Sequence, residues 1–312
     1  MTIERDDLIT ITQFTPEHLA AAHAIVRENL DAERQQIPAL PDTDAPELSG
    51  MTGAAAIENG ELIGFLCAPP PHDHAFGTAA KGIFSPLHAN GVTRKTGIDR
   101  ARVMTRLYTY AAERWTALGT NYHALSVFAH DTEITNALFN LNFGRRCADA
   151  IFTSVEEPPP VIFTLRELDR EEIPLVRELR IKLSDHLACS PCFMRTSEKE
   201  LADRISAAEK SGTRLFAAFD DSSTVAFIEV GDSGETYLTW NTGMKSICGA
   251  YCLPEYRGKG VMQALVCLAK KETRARYLGV DLETMNPAAA GFRRKQFTLY
   301  TSGLTRRVDE KI

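Results

Sequence analysis

The sequence predicts an α/β protein of two similar halves, each a mixed sheet flanked by helices, and three observations carry that reading. The chain has 312 residues, 44% hydrophobic, 24% charged and 8% aromatic, which is ample apolar material for a core and excludes disorder, collagen and a disulfide miniprotein. At roughly 150 residues per domain this length suits two domains. The same order of helical and extended patterns occurs before and after a proline run. That run, Ser154-Val155-Glu156-Glu157-Pro158-Pro159-Pro160, fixes φ at three positions, removes amide donors and favours an extended spacer. The expected domains are therefore residues 1–155 and 160–312.

In the first half, Pro16 to about Arg34 reads as a helix with Leu19, Ala22, His23, Val26 and Leu30 on one face. Ile57 to Cys67 reads as a strand pair turned at Asn59-Gly60, a strong hairpin dipeptide. A strand near Gly82–His88, a helix Arg100–Leu118, a strand Ala124–Ala129 and a helix Thr132–Leu141 follow. Met104, Leu107, Tyr108, Ala111, Ala112 and Trp115 form one stripe of the long helix. In the second half, helical patterns cover Glu171–Ser184 and Glu198–Ala208. Strands are predicted at Arg214–Phe219, Val225–Val230, Tyr237–Trp240 and Ser246–Leu253. A helix Val261–Tyr277 turns Val261, Ala264, Leu265, Leu268 and Ala269 inward; a strand Val280–Met285, a helix Pro287–Gln296 and a closing strand end the chain. Two copies of one fold explain this order better than two unrelated domains.

Charge and cysteine usage narrow the function classes. The formal net charge is -6, with 12 Lys+Arg against 19 Asp+Glu in residues 1–156 and 23 against 22 in residues 157–312. An acidic chain is a poor binder of nucleic acid, because neutralising phosphates needs surplus Lys and Arg. An anion site must be local and in the second half. The start, Met-Thr-Ile-Glu-Arg-Asp-Asp, has no basic or apolar leader, and no run of 18 or more apolar residues occurs. Seven cysteines, several in apolar stretches (Cys67, Cys248, Cys252, Cys267), suit buried thiols in a reducing compartment. The expectation is a cytoplasmic protein that binds neither membrane nor nucleic acid.

The most informative segment is Ala250-Tyr251-Cys252-Leu253-Pro254-Glu255-Tyr256-Arg257-Gly258-Lys259-Gly260-Val261-Met262, a strand passing through a glycine turn into an amphipathic helix. Two glycines let the main chain approach a ligand without Cβ interference, and the first amides of the helix point at any negative group there. Arg257 and Lys259 add cationic charge. The bland alternative is a tight connection with solvated basic side chains. The spacing fits neither a Walker-type phosphate loop nor a dinucleotide fingerprint.

Pro-Glu-Tyr-Arg-Gly-Lys-Gly between strand and helix resembles the acyl-CoA-binding motif of the GNAT superfamily of N-acetyltransferases, Arg/Gln-x-x-Gly-x-Gly/Ala. Arg257 and Gly260 match it, and Met262 replaces its last small residue. Asp281-Leu282-Glu283-Thr284-Met285-Asn286-Pro287, followed by an Ala-rich helix and Phe297, is similar to the second GNAT motif, a strand ending in Asn. The first half resembles a degenerate copy: Arg94-Lys95-Thr96-Gly97 keeps the spacing, and Asp99 stands where a small residue is needed and repels a pyrophosphate. The resemblance thus implies a tandem GNAT chain, with two GNAT-like domains of which the second binds acyl-CoA.

It further implies that two parallel strands splay apart and hold the pantetheine arm against backbone groups of Ala250, Tyr251 and Cys252. The amides of Gly258, Lys259, Gly260, Val261 and Met262 then take the pyrophosphate. An amine attacks the thioester directly, a main-chain amide polarises the carbonyl, and an acid protonates the leaving thiolate. Seven residues past Asn286, where many members carry a Tyr acid, stands Arg293; it either binds a CoA phosphate or is a solvated helix residue. Glu283 and Glu229 are candidate bases, each with a salt-bridge alternative. Asn286 positions water or the thiol, or caps the helix before Pro287. In this family the loop of Cys189-Ser-Pro-Cys192, with His186 and Phe193, lines the acceptor pocket.

Other features carry less. Cys189-x-x-Cys192 has no second pair at zinc spacing, and His72, His74 and His88 sit in loop sequence without carboxylate support. No Gly-x-Ser-x-Gly elbow accompanies His130-Asp131. The expected function is transfer of an acetyl group from acetyl-CoA to the primary amine of a small molecule or peptide, with the second domain active. The alternative is a weak or inactive acyl-CoA-binding regulatory protein, favoured by the missing Tyr and by Met262.

Overall fold

The computed structural model describes residues 9–155, 157–158, 160–210, 213–232 and 234–308, and side chains for all of these except 207–210 and 290–294. Along the chain come β1 (Ile9–Gln13), α1 (Leu19–Gln36), β2 (Thr52–Glu58), β3 (Glu61–Ala68), β4 (Gly82–Ser85), β5 (Asn90–Val92), α2 (Arg100–Ala117), β6 (Tyr122–Phe128), α3 (Thr132–Asn140) and β7 (Gly144–Phe152). After the proline run follow β8 (Thr164–Glu167), α4 (Arg177–Ala188), α5 (Glu198–Lys210), β9 (Arg214–Asp220), β10 (Ser223–Gly231), β11 (Met244–Cys252), α6 (Val261–Thr273), β12 (Tyr277–Glu283), α7 (Pro287–Gln296), β13 (Phe297–Leu299) and β14 (Thr301–Arg307). Among the described residues no helix is long and apolar enough to cross a membrane.

The chain forms two compact units, one of residues 1–38, 42–148 and 299–312 and the other of residues 39–41 and 149–298. This division differs from the expected 1–155 and 160–312. The cause is β14, which pairs antiparallel with β6 from Thr301–Phe128 to Arg307–Tyr122 and with β7 at Gly303–Cys147. The C-terminal segment thus supplies the strand that lies between β6 and β7. Glu156 and Pro159 of the proline run lie outside the described residues.

In the first unit the Asn59-Gly60 dipeptide turns the β2–β3 hairpin as predicted, with both residues at positive φ. The strand order β1-β2-β3-β5 makes one sheet, and β4-β6-β14-β7 are neighbours in another. The apolar stripe of α2 is buried: Val103, Met104, Leu107, Tyr108, Ala111 and Trp115 pack with Leu125 and Leu304. Asp99 caps α2 by accepting the Arg102 amide at 3.0 Å. The predicted strand Gly82–His88 ends at Ser85 as β4, and β5 begins beyond it at Asn90.

In the second unit β8-β9-β10-β11-β12 are successive neighbours. Pro174 breaks the predicted Glu171–Ser184 helix into a 3-10 turn at Arg170–Val176 and then α4. The predicted strand Tyr237–Trp240 is a 3-10 turn, because the Thr236 carbonyl accepts both the amide and the hydroxyl of Thr239, at 3.0 and 2.6 Å. Helix α6 stops at Thr273, where Arg274 takes φ +53°, earlier than the predicted Tyr277. It buries Val261, Ala264, Leu265 and Ala269 on the side packed against β9 and β10.

Leu304 on β14 is fully buried in the first unit. Replacing Leu304 with Ala is expected to cost about 2–5 kcal/mol, the usual range for emptying a buried leucine site. Urea unfolding followed by the fluorescence of buried Trp115 measures it; an unchanged midpoint would mean that β14 adds nothing to that core.

Candidate functional site

Strands β11 and β12 run parallel from Met244–Tyr277 to Ile247–Val280 and pair no further. At the same point β11 carries a bulge: Glu229 of β10 faces Gly249 and Val230 faces Ile247, leaving Cys248 as the extra residue. A bulge bends and twists the strand that carries it, so β11 stays with β10 while β12 continues to Glu283. A cavity of about 610 Å³ opens there, lined among others by Ala250, Tyr251, Cys252, Val261, Met262 and Asn286.

The turn after β11 forms one end of this cavity. Gly258 and Gly260 take φ +78° and +79°, a conformation costly for residues with a Cβ, and no described residue would stand within 4 Å of a Cβ at Gly258. The Tyr256 and Arg257 amides are used within the turn, bonding Leu253 and Pro254 carbonyls at 3.0 and 3.2 Å. The amides of Gly258, Lys259, Gly260, Val261, Met262 and Gln263 take no acceptor among the described residues; the first bond to the Gly260 carbonyl comes from Ala264, at 3.0 Å. Helix α6 thus presents an uncapped, partly positive end to the cavity.

The corresponding turn of the first unit is closed. Glu133 accepts the Arg100 and Ala101 amides at 3.1 and 3.3 Å, and Asp99 accepts that of Arg102. The buried Arg100 guanidinium is held by Asp131 at 2.7 and 2.5 Å. Asn90 bridges from β5 to the Ser126 carbonyl of β6 at 3.1 Å. The space left there is about 10 Å³, room for one water at most.

The other predicted site residues are placed unevenly. Arg257 reaches back along β11: its Nε donates to the Cys252 carbonyl at 3.1 Å and its guanidinium lies 5.6 Å from the Tyr251 ring centre. It braces the turn with one face and keeps its charge at the cavity wall. Lys259 lies 5.0 Å from the Tyr256 ring centre, and the Tyr256 hydroxyl donates to Asp220 at 2.8 Å. Asn286 caps α7 by accepting the Ala289 amide at 3.4 Å and lies 3.2 Å from His186 Nε2. Arg293 falls within α7, and its side chain lies outside the described residues. Glu283 is half-buried at the end of β12 and is not among the residues lining the cavity. Its charge helps raise the pKa of the Cys192 thiol, after burial.

Sequence reasoning did not bring Lys295, Gln263 or Leu183 to the cavity, and it gave His186 only a place in the acceptor pocket. All four line the cavity. Phe193, expected beside His186, is exposed and does not. Cys252 is a cavity wall, but burial pushes its thiol up to about 11, so it stays protonated near neutral pH and is a poor nucleophile. Cys248, expected to be buried, is exposed at the bulge; desolvation of its sulfur and then Glu229 and Asp281 push its thiol up to about 11 as well. Glu229 extends over Gly249, where a Cβ would meet its Oε2 at 2.9 Å, and it pairs with the buried Arg180.

Residues 181–297 match the family model described as "Acetyltransferase (GNAT) family". A comparison with curated proteins gives no match. The fold is similar to a GCN5-related N-acetyltransferase from Sphaerobacter thermophilus, at a TM-score of 0.55 and 12% identity over 96% of both chains. It is also similar to the glucosamine N-acetyltransferase region of a fungal multi-domain β-N-acetylglucosaminidase, at 0.52 and 13% identity over 95% of this chain and 38% of that one. The two-unit mixed α/β architecture is thus a GNAT-like one.

The Arg180–Glu229 pair gives a stability test of this wall. Both side chains are nearly inaccessible, at 7% and 13% exposure, so Glu229→Ala leaves a buried cation unpaired and is expected to cost about 3–5 kcal/mol. Adding Arg180→Met should restore much of the loss in denaturant titrations; no recovery would show that the pair itself is not what Glu229 contributes.

Proposed function

We propose that the second unit binds acetyl-CoA in the opening between β11 and β12 and transfers the acetyl group to the primary amine of a small molecule or peptide. The single observation that carries this reading is the set of amides from Gly258 to Gln263 left without protein acceptors at the mouth of that opening. Such amides at a helix start bind phosphate groups well. With the two left-handed glycines and Arg257 beside them, these residues fit a pyrophosphate, and the edge of β11 at Ala250, Tyr251 and Cys252, which β12 leaves unpaired and Arg257 engages at the Cys252 carbonyl, fits the amide-bearing arm of CoA.

Each group then has a task. Gly258, Lys259, Gly260, Val261 and Met262 bind the diphosphate through backbone nitrogens, and Arg257 holds the turn against β11. Met262 is half-buried and lines the cavity, so its side chain narrows the space where the family motif carries a small residue. Acetyl-CoA supplies the activated acyl group. Because Cys248 and Cys252 stay as thiols, the amine attacks the thioester directly, without transfer through an enzyme cysteine. Glu229, held by Arg180 over Gly249, puts a carboxylate near the bulge, on the side an ammonium-bearing acceptor would approach. The first unit, its turn filled by Asp99, Glu133 and Asp131, holds no second CoA and acts as a scaffold. A regulatory acyl-CoA binder without turnover is the competing reading, and the departure at Met262 favours it.

Copying the first unit's cap into the second tests the site. Gly260→Asp puts a carboxylate at the N-cap of α6, as Asp99 is at that of α2, but at φ +79° instead of −81°, so Gly260→Ala serves as the control for backbone strain. The Asp variant is expected to bind acetyl-CoA at least about tenfold more weakly than the Ala variant, a loss of the size of one charge contact. Calorimetric titration measures this, and release of free thiol over a panel of amines measures transfer. Unchanged affinity removes the cradle assignment; tight binding with no turnover of any amine selects the regulatory reading.

A further inference from the structure

We infer that His186 carries the proton in this transfer, taking it from the acceptor amine and delivering it to the departing sulfur, with Asn286 as its positioning residue. The inference rests on the acyl-CoA reading above. His186 stands in the last turn of α4, half-buried, and lines the cavity together with the β11 edge and Asn286. Its ring lies 6.3 Å from that of Tyr251.

The hydrogen bonds settle which ring nitrogen is free. Asn286 Oδ1 takes the Ala289 amide proton at 3.4 Å, which orients the side-chain oxygen toward the cavity end of α7. The same oxygen lies 3.2 Å from His186 Nε2. A carbonyl oxygen only accepts, so the neutral imidazole carries its proton on Nε2 and leaves the Nδ1 lone pair open. No described residue bonds Nδ1.

The neighbouring groups do not compete for this role. The Cys252 thiol is pushed up to about 11 and donates to the Leu253 carbonyl. The Tyr256 hydroxyl is engaged with Asp220, which raises its pKa further. Arg257 is a donor only, bonded to the Cys252 carbonyl. Lys295 in its charged form is likewise a donor without a lone pair. Glu229 is tied to Arg180, and Glu283 does not line the cavity. Among the described cavity side chains, His186 is the one that offers a basic lone pair in its neutral state.

The step balances with this one residue. The amine nitrogen forms the C–N bond, and the C–S bond breaks with its electron pair left on sulfur. The proton released from nitrogen passes to Nδ1 and then to sulfur, so the imidazole ends neutral. Amine and thioester give amide and thiol, and no separate acid is needed at the position of Arg293.

The full-length protein, His186→Gln and Asn286→Ala test this by two readouts. With the best amine of the panel, His186→Gln should lose about 100-fold or more in kcat, the range for removing a general acid–base group, while the KM for acetyl-CoA and its calorimetric affinity stay unchanged. Added imidazole should restore part of the rate to His186→Gly. Independently of activity, the imidazole nitrogen spectrum of His186 should show the Nε2-protonated tautomer in the wild type and a mixture in Asn286→Ala, with Asn286→Asp restoring the single form. A kcat for His186→Gln within about threefold of wild type, or an Nδ1-protonated ring in the wild type, overturns the assignment to His186. A wild-type protein that binds acetyl-CoA and acylates no amine overturns the transfer reading itself, and the histidine role with it.

Discussion

The second unit depends on a mismatch between two neighbouring strands. Strand β11 is held to β10 beyond Ile247, whereas β12 leaves the ladder at Val280, and the bulge at Cys248 is where the two requirements separate. Unpaired backbone is expensive when buried and cheap when a polar ligand or water can reach it. An opening of this kind therefore persists only if something polar fills it or if it stays wet. The adjoining turn meets the same condition. Its six amides would be a liability inside a core; five of them, those of Gly258, Gly260, Val261, Met262 and Gln263, belong to residues that line the cavity, next to an uncapped helix end.

The first unit shows the other solution to the same constraint. Its α2 begins where α6 does in the order of elements, but Asp99 and Glu133 satisfy the first amides, and the Arg100–Asp131 pair fills the space beside β5. These are the same interactions a diphosphate would make, supplied by carboxylates of the chain itself. The second unit leaves the corresponding amides without such partners among the described residues. The buried pair has a structural value too, since neither charge can be removed without leaving the other unpaired.

Much of this was legible in the sequence because the information is local. The turn Arg257-Gly258-Lys259-Gly260 specifies its own backbone: glycines at two left-handed positions, then a helix with an apolar stripe. Asp99, singled out by its charge, caps α2 through the Arg102 amide. What could not be read depends on distant partners. His186 and Asn286 are 100 residues apart, and only the packing of α4 against β11 brings them to one cavity. Glu283 had the right type and strand position for a base, but alternation along β12 does not say which residues reach the opening. The Tyr237–Trp240 segment has strand-forming residues, yet Thr239 bonds back to Thr236 and closes a turn. Strand β14 carries no mark of the unit it completes, because a buried strand reads the same wherever it is inserted.

The claim beneath the account is that the start of α6 binds the diphosphate of CoA through main-chain nitrogens. Amide resonances of the labelled protein, followed during titration with CoA and with pantetheine lacking the phosphates, test it most directly. The account predicts that Gly258 to Gln263 shift and saturate with CoA and move little with pantetheine, while Arg100 to Arg102 stay still throughout. Saturation at Arg100 to Arg102, or CoA binding that leaves Gly258 to Gln263 unmoved, would contradict it.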